Sequence, residues 1–261
     1  MEIEIDFTKS AQENANEYYS KAKKLAIKKA GAEKAVRELG QRLEKAMKAQ
    51  QGEKKEKKIV KLQKKEWYEK FHWFFTSNGL LAIGGRDATQ NELINAKHFT
   101  EKDLFFHANV FGASVVVLQD GADAGKEIRE EAAQFAACYS SAWKDGLNSA
   151  DVYAMNRNQV SKATNKGSLG KGSFLLSGER DWYTNMSLNL AMFVKSEKLN
   201  VVPFATLVKI KGSMVKYVAV KIGRDKKSDA AKKIAKLLGF DDLDTIMQQL
   251  PTGSFKVEDG K

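Results

Sequence analysis

The sequence predicts an α+β protein in which a long antiparallel helical hairpin, a coiled coil, precedes a mixed, mainly antiparallel sheet packed with helices. A change in composition along the chain supports this fold class. Residues 1–66 combine a repeating apolar seam with runs of lysine, whereas aromatic and β-branched residues appear from Trp67 onward and the lysine runs stop. We therefore place a basic coiled-coil arm at 1–66 and an α+β domain at 67–261, with a C-terminal helical segment over 226–250.

Positive charge is concentrated in the predicted arm. The 261-residue chain has a net charge of +11, and residues 21–66 alone contain 17 Lys or Arg against six Glu. This excess indicates a polyanionic partner. Cys138 is the lone cysteine, which excludes an internal disulfide and fits a reducing compartment. The acidic N-terminus does not resemble a signal peptide, and no apolar run approaches about 20 residues, so we expect a cytoplasmic protein with no membrane partner.

A single long helix is predicted over 8–49, with Thr8 or Ser10 suited to cap it. One seam with 4-3 spacing runs along this helix, which is typical of a coiled coil. The register passes Gly31 and Gly40 without a slip, and at 1.5 Å per residue the helix would be about 63 Å long. The seam positions, all apolar or aromatic except one lysine, are Ala11, Ala15, Tyr18, Ala22, Leu25, Lys29, Ala32, Val36, Leu39, Leu43 and Ala46.

A shorter helix is expected to return over 53–70 after a tip at 50–53, with Ile59, Leu62 and Tyr68 facing the first helix. The outer face of this hairpin is basic. Lysines on that face are predicted to bind RNA by neutralising its phosphates. They are Lys23, Lys24, Lys28, Lys54, Lys55, Lys57 and Lys58.

In the domain, apolar alternation and turn residues predict a hairpin over 71–83 with its turn at Ser77-Asn-Gly79. A helix is predicted over 87–99, two strands over 103–119 and an Ala-rich helix over 125–143. The sheet is expected to continue through further strands, separated by a polar loop at 156–172. These strands are placed at 151–155, 173–176, 188–194, 201–210 and 215–222.

The stretch Gly84-Gly85-Arg86-Asp87 allows two compatible interpretations. In the structural one, the glycines allow a sharp turn, and Asp87 caps a helix in a capping box with Gln90. In the functional one, the helix start attracts a phosphate, which Arg86 contacts while Asp87 holds the turn.

Residues 165–173 imitate a phosphate-binding P-loop, but the match fails, because Asn165 occupies the first glycine position and a strand follows instead of a helix. A loop that tracks an RNA backbone is favoured, with aromatic side chains nearby in sequence at Tyr153, Trp182 and Tyr183. A solvated loop with core aromatics behind it remains the alternative. The basic residues assigned to RNA binding are Arg157, Lys162, Lys166, Lys171 and Arg180.

His107 is also placed in the predicted RNA-binding set, although a hydrogen-bonded histidine at a strand end is the simpler interpretation. The histidine spacing matches no zinc pattern, so we expect no catalytic residue, metal or cofactor. Two alternatives stay open. One is a metal-dependent nuclease using Asp87, Glu92 and His107; the other is a coiled-coil scaffold that binds protein through the apolar seam.

Several ordered blocks of sequence resemble the C-terminal part of the NFACT proteins, a family that includes RqcH, NEMF and fibronectin-binding protein A. The resemblance covers roughly residues 1–195, with a basic coiled coil followed by an NFACT-R domain. The blocks are Trp67-Tyr-Glu-Lys-Phe-His-Trp-Phe, Ile83-Gly-Gly-Arg-Asp-Ala-Thr-Gln-Asn-Glu92, His107-Ala-Asn with Gly112-Ala-Ser114, Ala137-Cys-Tyr-Ser-Ser-Ala-Trp143, Gln159-Val-Ser-Lys162 and Lys171-Gly-Ser-Phe174.

The resemblance implies a non-catalytic, RNA-binding module of ribosome-associated quality control that binds the large ribosomal subunit and tRNA at stalled nascent chains. The sequence also departs from the family pattern in three respects. Asn109 and Phe111 stand where the family pattern has Asp and His, and the sequence drifts after Arg180. The N-terminal NFACT domain, which contains the family's tRNA-selecting Asp-Arg pair, is not in this sequence. The chain either pairs with a separate N-terminal NFACT half or acts as a stand-alone ribosome binder.

Overall fold

The computed structural model describes residues 4–52, 66–164, 167–210 and 216–260. The chain divides into two compact units, Met1–Lys64 and Lys65–Lys261. Among the described residues, no helix has the length and apolar character needed to cross a membrane.

The first unit contains one long helix, α1 (Ala11–Gly52), which passes through Gly31 and Gly40 without a break. This confirms the prediction of a single helix, although the helix continues three residues beyond the expected end. Ser10 caps it: the Ser10 Oγ accepts from the Glu13 backbone N–H at 3.3 Å, and the Glu13 carboxylate accepts from the Ser10 N–H at 2.8 Å. The backbone N–H of Ser10, followed by its hydroxyl, lowers the pKa of Glu13, so the capping carboxylate stays charged.

The apolar seam of α1 is exposed within the described part of the first unit. Leu25, Val36 and Leu39 have 64%, 70% and 65% of their surface accessible. The helix predicted to return beside them falls mostly at 53–65, outside the described residues.

The prediction that the returning helix continues to residue 70 is wrong. Trp67–Lys70 form a short 3-10 turn in the second unit. Tyr68 packs edge-on against Trp73 and Phe75, with ring centroids 4.9 and 5.7 Å apart, so its partners are strand residues of the domain.

The second unit is an α+β domain with two main sheets and two short two-stranded sheets among its described residues. Its strands within the described residues are β1 (His72–Phe75), β2 (Leu81–Gly84), β3 (Leu104–Ala108), β4 (Val116–Leu118), β5 (Ser149–Asn156), β6 (Val160–Ser161), β7 (Ala163–Thr164), β8 (Gly167–Ser168), β9 (Leu175–Leu176), β10 (Asp181–Ser187), β11 (Asn189–Lys195), β12 (Lys198–Pro203), β13 (Tyr217–Asp225) and β14 (Phe255–Gly260). Its helices there are α2 (Ala88–Lys97), α3 (Lys126–Cys138), α4 (Ser141–Lys144), α5 (Phe204–Ile210), α6 (Lys227–Leu238) and α7 (Leu243–Gln249).

The larger sheet has the strand order β1-β2-β4-β3-β5-β10, and the smaller one β12-β11-β13-β14. All the pairings in both sheets are antiparallel. The β1–β2 hairpin is confirmed, with Gly79 at φ +90° in its turn. The antiparallel β3–β4 pair and the helix α2 are also confirmed.

Side chains alternate between the two faces of the larger sheet, so each face has its own core. On one face, Phe106 and Phe135 belong to a buried cluster that includes α3 and residues of the smaller sheet. On the other face, Phe105 and Ile83 pack with Ile94 of α2 in a second buried cluster.

Five element predictions are wrong. The Ala-rich helix over 125–143 is divided, because the Ser140 hydroxyl accepts from the Ala142 N–H and caps a separate helix, α4. The polar loop at 156–172 contains the short strands β6, β7 and β8, and the strand predicted at 173–176 pairs as β9 with β6, outside the larger sheet. The strand predicted at 188–194, observed as β11, lies in the smaller sheet. The strand over 201–210 ends at Pro203, where α5 begins.

Candidate nucleic-acid interface

A line of aromatic side chains crosses three neighbouring strands of the larger sheet. Tyr153 of β5 is directly opposite Trp182 of β10 and directly opposite His107 of β3. Because residues paired across antiparallel strands share a face, the three rings lie side by side. We call His107, Tyr153 and Trp182 the aromatic row.

The rings of the aromatic row are in mutual contact at an edge of the sheet. The centroids of Tyr153 and Trp182 are 5.6 Å apart, and those of Tyr153 and His107 are 5.7 Å apart. Trp182 has 45% of its surface exposed, since β10 is an edge strand with no neighbour beyond it in the described sheet. Trp182 is therefore the open ring of the row, because Tyr153 has only 6% of its surface exposed.

Arg180 places a cation over this surface. Its guanidinium carbon lies 4.5 Å from the centroid of the Tyr153 ring and 5.8 Å from that of Trp182. The side chain is exposed and forms no ion pair with a carboxylate among the described residues. A cation over aromatic faces is stabilised by the ring quadrupole and stays available to an anionic ligand.

The other groups of the row are neutral at physiological pH. Burial lowers the pKa of His107 from its ordinary value of 6.5; backbone hydrogen bonds of Ala108 and Ala113 oppose this effect, and Arg180 adds to it. Burial raises the pKa of Tyr153. The Tyr153 hydroxyl and the His107 Nδ1 lie 3.3 Å apart and hydrogen-bond to each other. Arg180 is therefore the charge that this surface offers.

Arg86, predicted to contact phosphate, is held inside the domain. Its guanidinium donates to the carbonyl oxygens of Glu69 and Phe71, at 3.4 and 3.0 Å, and to the Gln248 side chain at 3.4 Å. Burial lowers the pKa of Arg86. The visible role of this arginine is to fasten the 3-10 turn onto the sheet, and its RNA contact stays a prediction.

Asp87 is the N-cap of α2, as predicted, because its carboxylate accepts from the Gln90 N–H at 2.9 Å. The capping box is only half formed. The Gln90 side chain accepts from the Arg86 N–H at 3.1 Å, one residue before the cap. The neighbouring glycine has a packing role, since a Cβ on Gly85 would overlap the Asn91 side chain and lie 2.9 Å from the Asn91 backbone nitrogen.

Lys162 fixes its own loop to α2. It forms an ion pair with Glu92, and its Nζ also donates to the Gly170 carbonyl oxygen at 2.8 Å. The same carboxylate accepts from the Gly172 N–H at 2.8 Å. Lys162 first, then Gly172, lower the pKa of Glu92. This cation therefore already has a carboxylate partner.

The remaining predicted domain cations differ in how available they are. Arg157 donates to the Val160 carbonyl oxygen at 2.8 Å and lies 5.0 Å from the centroid of the Phe99 ring. Lys171 is exposed. Lys166 lies outside the described residues. Arg180 is thus the predicted cation that the structure brings together with His107.

The three residues of the nuclease alternative do not assemble into a metal site. Asp87 caps α2, Glu92 pairs with Lys162, and His107 lies in the aromatic row. In the described part of the chain, no three His, Cys, Asp or Glu side chains are grouped so that they hold a metal ion.

The predicted arm lysines fall into two groups. Lys23, Lys24 and Lys28 lie on α1, are exposed, and form no ion pair with a carboxylate among the described side chains. The other four lie outside the described residues: Lys54, Lys55, Lys57 and Lys58.

Sequence reasoning did not find the strand β10, and so missed the direct pairing of Trp182 with Tyr153. It also grouped Tyr183 with them, whereas this tyrosine lies on the opposite face against Phe106, with ring centroids 5.8 Å apart. The alternation of residues in 181–187 was the signal that would have separated the two faces.

Comparison with known proteins identifies the domain. Residues 70–178 match the family model described as NFACT protein RNA binding domain. The chain is 36% identical over 204 residues to the archaeal Rqc2 homolog aRqcH of Methanocaldococcus jannaschii, covering 75% of this chain and 30% of that protein. It is 35% identical over 199 residues to the ribosome quality control complex subunit NEMF homolog of Drosophila melanogaster, covering 73% and 20%.

A solved structure, that of the C-terminal part of the fibronectin/fibrinogen-binding protein from Streptococcus suis, matches with a TM-score of 0.40 and 24% identity over 49% of each chain. The chain spans less than a third of the length of the two curated relatives above. Residues 70–178 therefore match the RNA-binding domain of the NFACT family, and the chain is homologous to part of the Rqc2, RqcH and NEMF proteins, as the sequence motifs had indicated.

Proposed function

We propose that this chain is a non-catalytic, RNA-binding module of ribosome quality control that binds the large ribosomal subunit and tRNA at stalled nascent chains. The observation that supports this most directly is the exposed Arg180 over the aromatic row, two residues beyond the segment 70–178 that matches a family model described as RNA-binding. The relatives are named for ribosome quality control, and their names support the ribosome as the place where the RNA is bound.

The basic arm supports a large RNA partner. Lys23, Lys24 and Lys28 are exposed, and they are spaced so that they lie close together along one stretch of α1. Unpaired lysines of this kind bind nucleic acid by releasing counterions from phosphates, so their contribution falls as salt rises. A folded ribosomal RNA offers many phosphates to such a helix.

A catalytic role has no support in the described residues. The candidate carboxylates of a nuclease are engaged elsewhere, Asp87 as a helix cap and Glu92 with Lys162. In the proposed role, the chemistry at a stalled nascent chain belongs to other components. A separate N-terminal NFACT half is a further partner in this proposal.

Sedimentation with purified large subunits tests the proposal. The chain should pellet with subunits at about 50 mM salt and dissociate progressively toward about 200 mM. The triple variant Lys23→Glu, Lys24→Glu, Lys28→Glu should lower the slope of log affinity against log salt by about 3, one unit for each lost phosphate contact.

A matched control reverses three exposed lysines, one just before α6 and two on it: Lys226→Glu, Lys232→Glu and Lys236→Glu. Its change in net charge is the same, and we expect it to leave the slope almost unchanged. A wild-type chain that stays in the supernatant at low salt contradicts the proposal. Binding that survives the arm variant and ignores salt would instead favour a protein partner on the exposed seam.

A further inference from the structure

We propose, on the basis of the RNA-binding function above, that the aromatic row with Arg180 binds unpaired bases of single-stranded RNA by stacking. The row, not the phosphate-binding arm, would then distinguish single-stranded from double-stranded RNA. Four features of this surface support the inference.

The first feature is the match between the surface and a nucleobase. Trp182 is 45% exposed at an edge strand and is the open ring of the row, whereas Tyr153, with 6% of its surface exposed, packs edge-on behind it. Stacking of a base on an exposed aromatic ring contributes about 1–3 kcal/mol. In a duplex the faces of each base are covered by its neighbours, so an exposed ring of this kind selects a base that is unpaired.

The second feature is the position of the cation. Arg180 lies over both Tyr153 and Trp182, at 4.5 and 5.8 Å from their ring centroids. A guanidinium is planar, so it both stacks on a base and attracts the phosphate beside it. One planar cation above a row of rings suits a base with its own phosphate.

The third feature is the low charge density of the surface. Arg180 is the cation in contact with these rings among the described residues, and both His107 and Tyr153 are neutral at pH 7. A surface that follows a duplex needs several cations spread along two phosphate backbones. The aromatic row therefore binds mainly through stacking.

The fourth feature concerns base preference. The Tyr153 hydroxyl and the His107 Nδ1 already hydrogen-bond to each other, at 3.3 Å. The Tyr153 hydroxyl and the His107 Nδ1 are thus not free to recognise the edge of a base. Because stacking tolerates all four bases, we expect only a weak sequence preference.

The test uses the full-length chain and two fluorescently labelled RNAs, a single-stranded 12-mer of uridylate and a perfectly paired duplex of the same length. Their affinities are measured by anisotropy. Trp182→Leu should weaken binding of the single strand by about tenfold or more and change duplex binding by less than twofold. Arg180→Gln, at an exposed position, should weaken single-strand binding without affecting the fold.

Trp67→Leu is the matched control. Trp67 is also partly exposed, at 43%, but it stacks on His98 at 4.5 Å, and its ring contacts among the described residues do not include the row. This variant should keep both affinities within twofold of wild type. Quenching of intrinsic tryptophan fluorescence by the 12-mer should persist in Trp67→Phe and disappear in Trp182→Phe.

Three results would overturn the inference. One is an unchanged single-strand affinity in both Trp182→Leu and Arg180→Gln, with circular dichroism showing folded protein. Another is an equal loss of duplex affinity, since that would indicate a general RNA surface. The third is quenching that persists without Trp182. Each leaves the proposed function intact as long as the wild-type chain still sediments with large subunits; if it does not, the proposed function fails separately.

Discussion

Glu131 allows a quantitative test of how the domain is held together. Its side chain is fully buried, and four donors converge on the carboxylate. They are the Ser77 N–H at 2.8 Å, the Ser77 hydroxyl at 2.6 Å, the Thr206 hydroxyl at 2.9 Å and the Lys209 ammonium at 3.0 Å. Through them, one carboxylate on α3 joins the β1–β2 turn to α5.

The cost of removing this carboxylate follows from what is left unpaired. Breaking a buried charge pair by removing one partner typically costs about 3–5 kcal/mol. Lys209 is partly exposed, so water solvates it in the variant and the lower end applies. We expect Glu131→Ala to reduce the free energy of unfolding by about 3 kcal/mol. Glu131→Gln keeps the volume but turns an amide NH2 toward donors, and should cost about 2 kcal/mol.

Urea titration of the 261-residue chain measures these losses in the free energy of unfolding, with the fluorescence of the buried Trp73 and Trp143 as the signal. Glu127→Gln is the control. Glu127 lies on the same helix, 3.5 Å from the Lys209 ammonium, but its side chain is 82% exposed. A surface ion pair contributes at most about 1 kcal/mol. If Glu131→Gln and Glu127→Gln differ by less than about 0.5 kcal/mol, the reasoning is refuted.

Three further predictions concern the domain. Gly85→Ala should reduce the free energy of unfolding by about 1–3 kcal/mol, because the new methyl group displaces the Asn91 side chain, which accepts from the Val115 N–H just before β4. Gly170→Ala, where the added methyl group meets open space, should change the free energy of unfolding little in the same urea titration. Burial lowers the pKa of His72 to about 3, so its neutral form stabilises the fold above pH 6.5, and this contribution is lost as the pH falls toward 3. Between pH 7 and pH 4 the free energy of unfolding should therefore fall by about 3 kcal/mol less in His72→Phe than in wild type. An equal fall in both proteins would contradict this. Lys162→Met should increase amide hydrogen exchange in the loop around residue 170 without changing exchange in the sheet; unchanged exchange there would show that the ion pair does not hold the loop.

The sequence predicted features that depend on local patterns. The uninterrupted seam predicted one long helix, and α1 (Ala11–Gly52) is continuous through both of its glycines. The Ser77-Asn-Gly79 turn predicted the first hairpin, and Asp87 predicted the start of α2. Each signal lies within a few residues of the element that it specifies.

Features that depend on pairing between distant residues were not predictable. Lys162 and Glu92 are 70 positions apart, and nothing local shows that this lysine already has a partner. Tyr153 meets Trp182 only because β5 and β10 pair in one register, and a shift by one residue would put Tyr183 in its place. The aromatic row is therefore a consequence of tertiary structure, although each of its members is evident in the sequence.

Tertiary contacts also decide which of the positive charges in the domain are available to a ligand. Residues 67–261 contain 26 Lys or Arg and 22 Asp or Glu, so the domain has only a small excess of positive charge. Two of its predicted RNA-binding cations, Arg86 and Lys162, are engaged inside the protein, whereas Arg180 is exposed over rings. Under the proposed function, binding by the domain should depend on stacking and be weakly sensitive to salt, while the lysines of α1 should give a steep dependence. A full-length chain that combines both would lose its arm contacts first as salt rises and keep the contacts of the aromatic row.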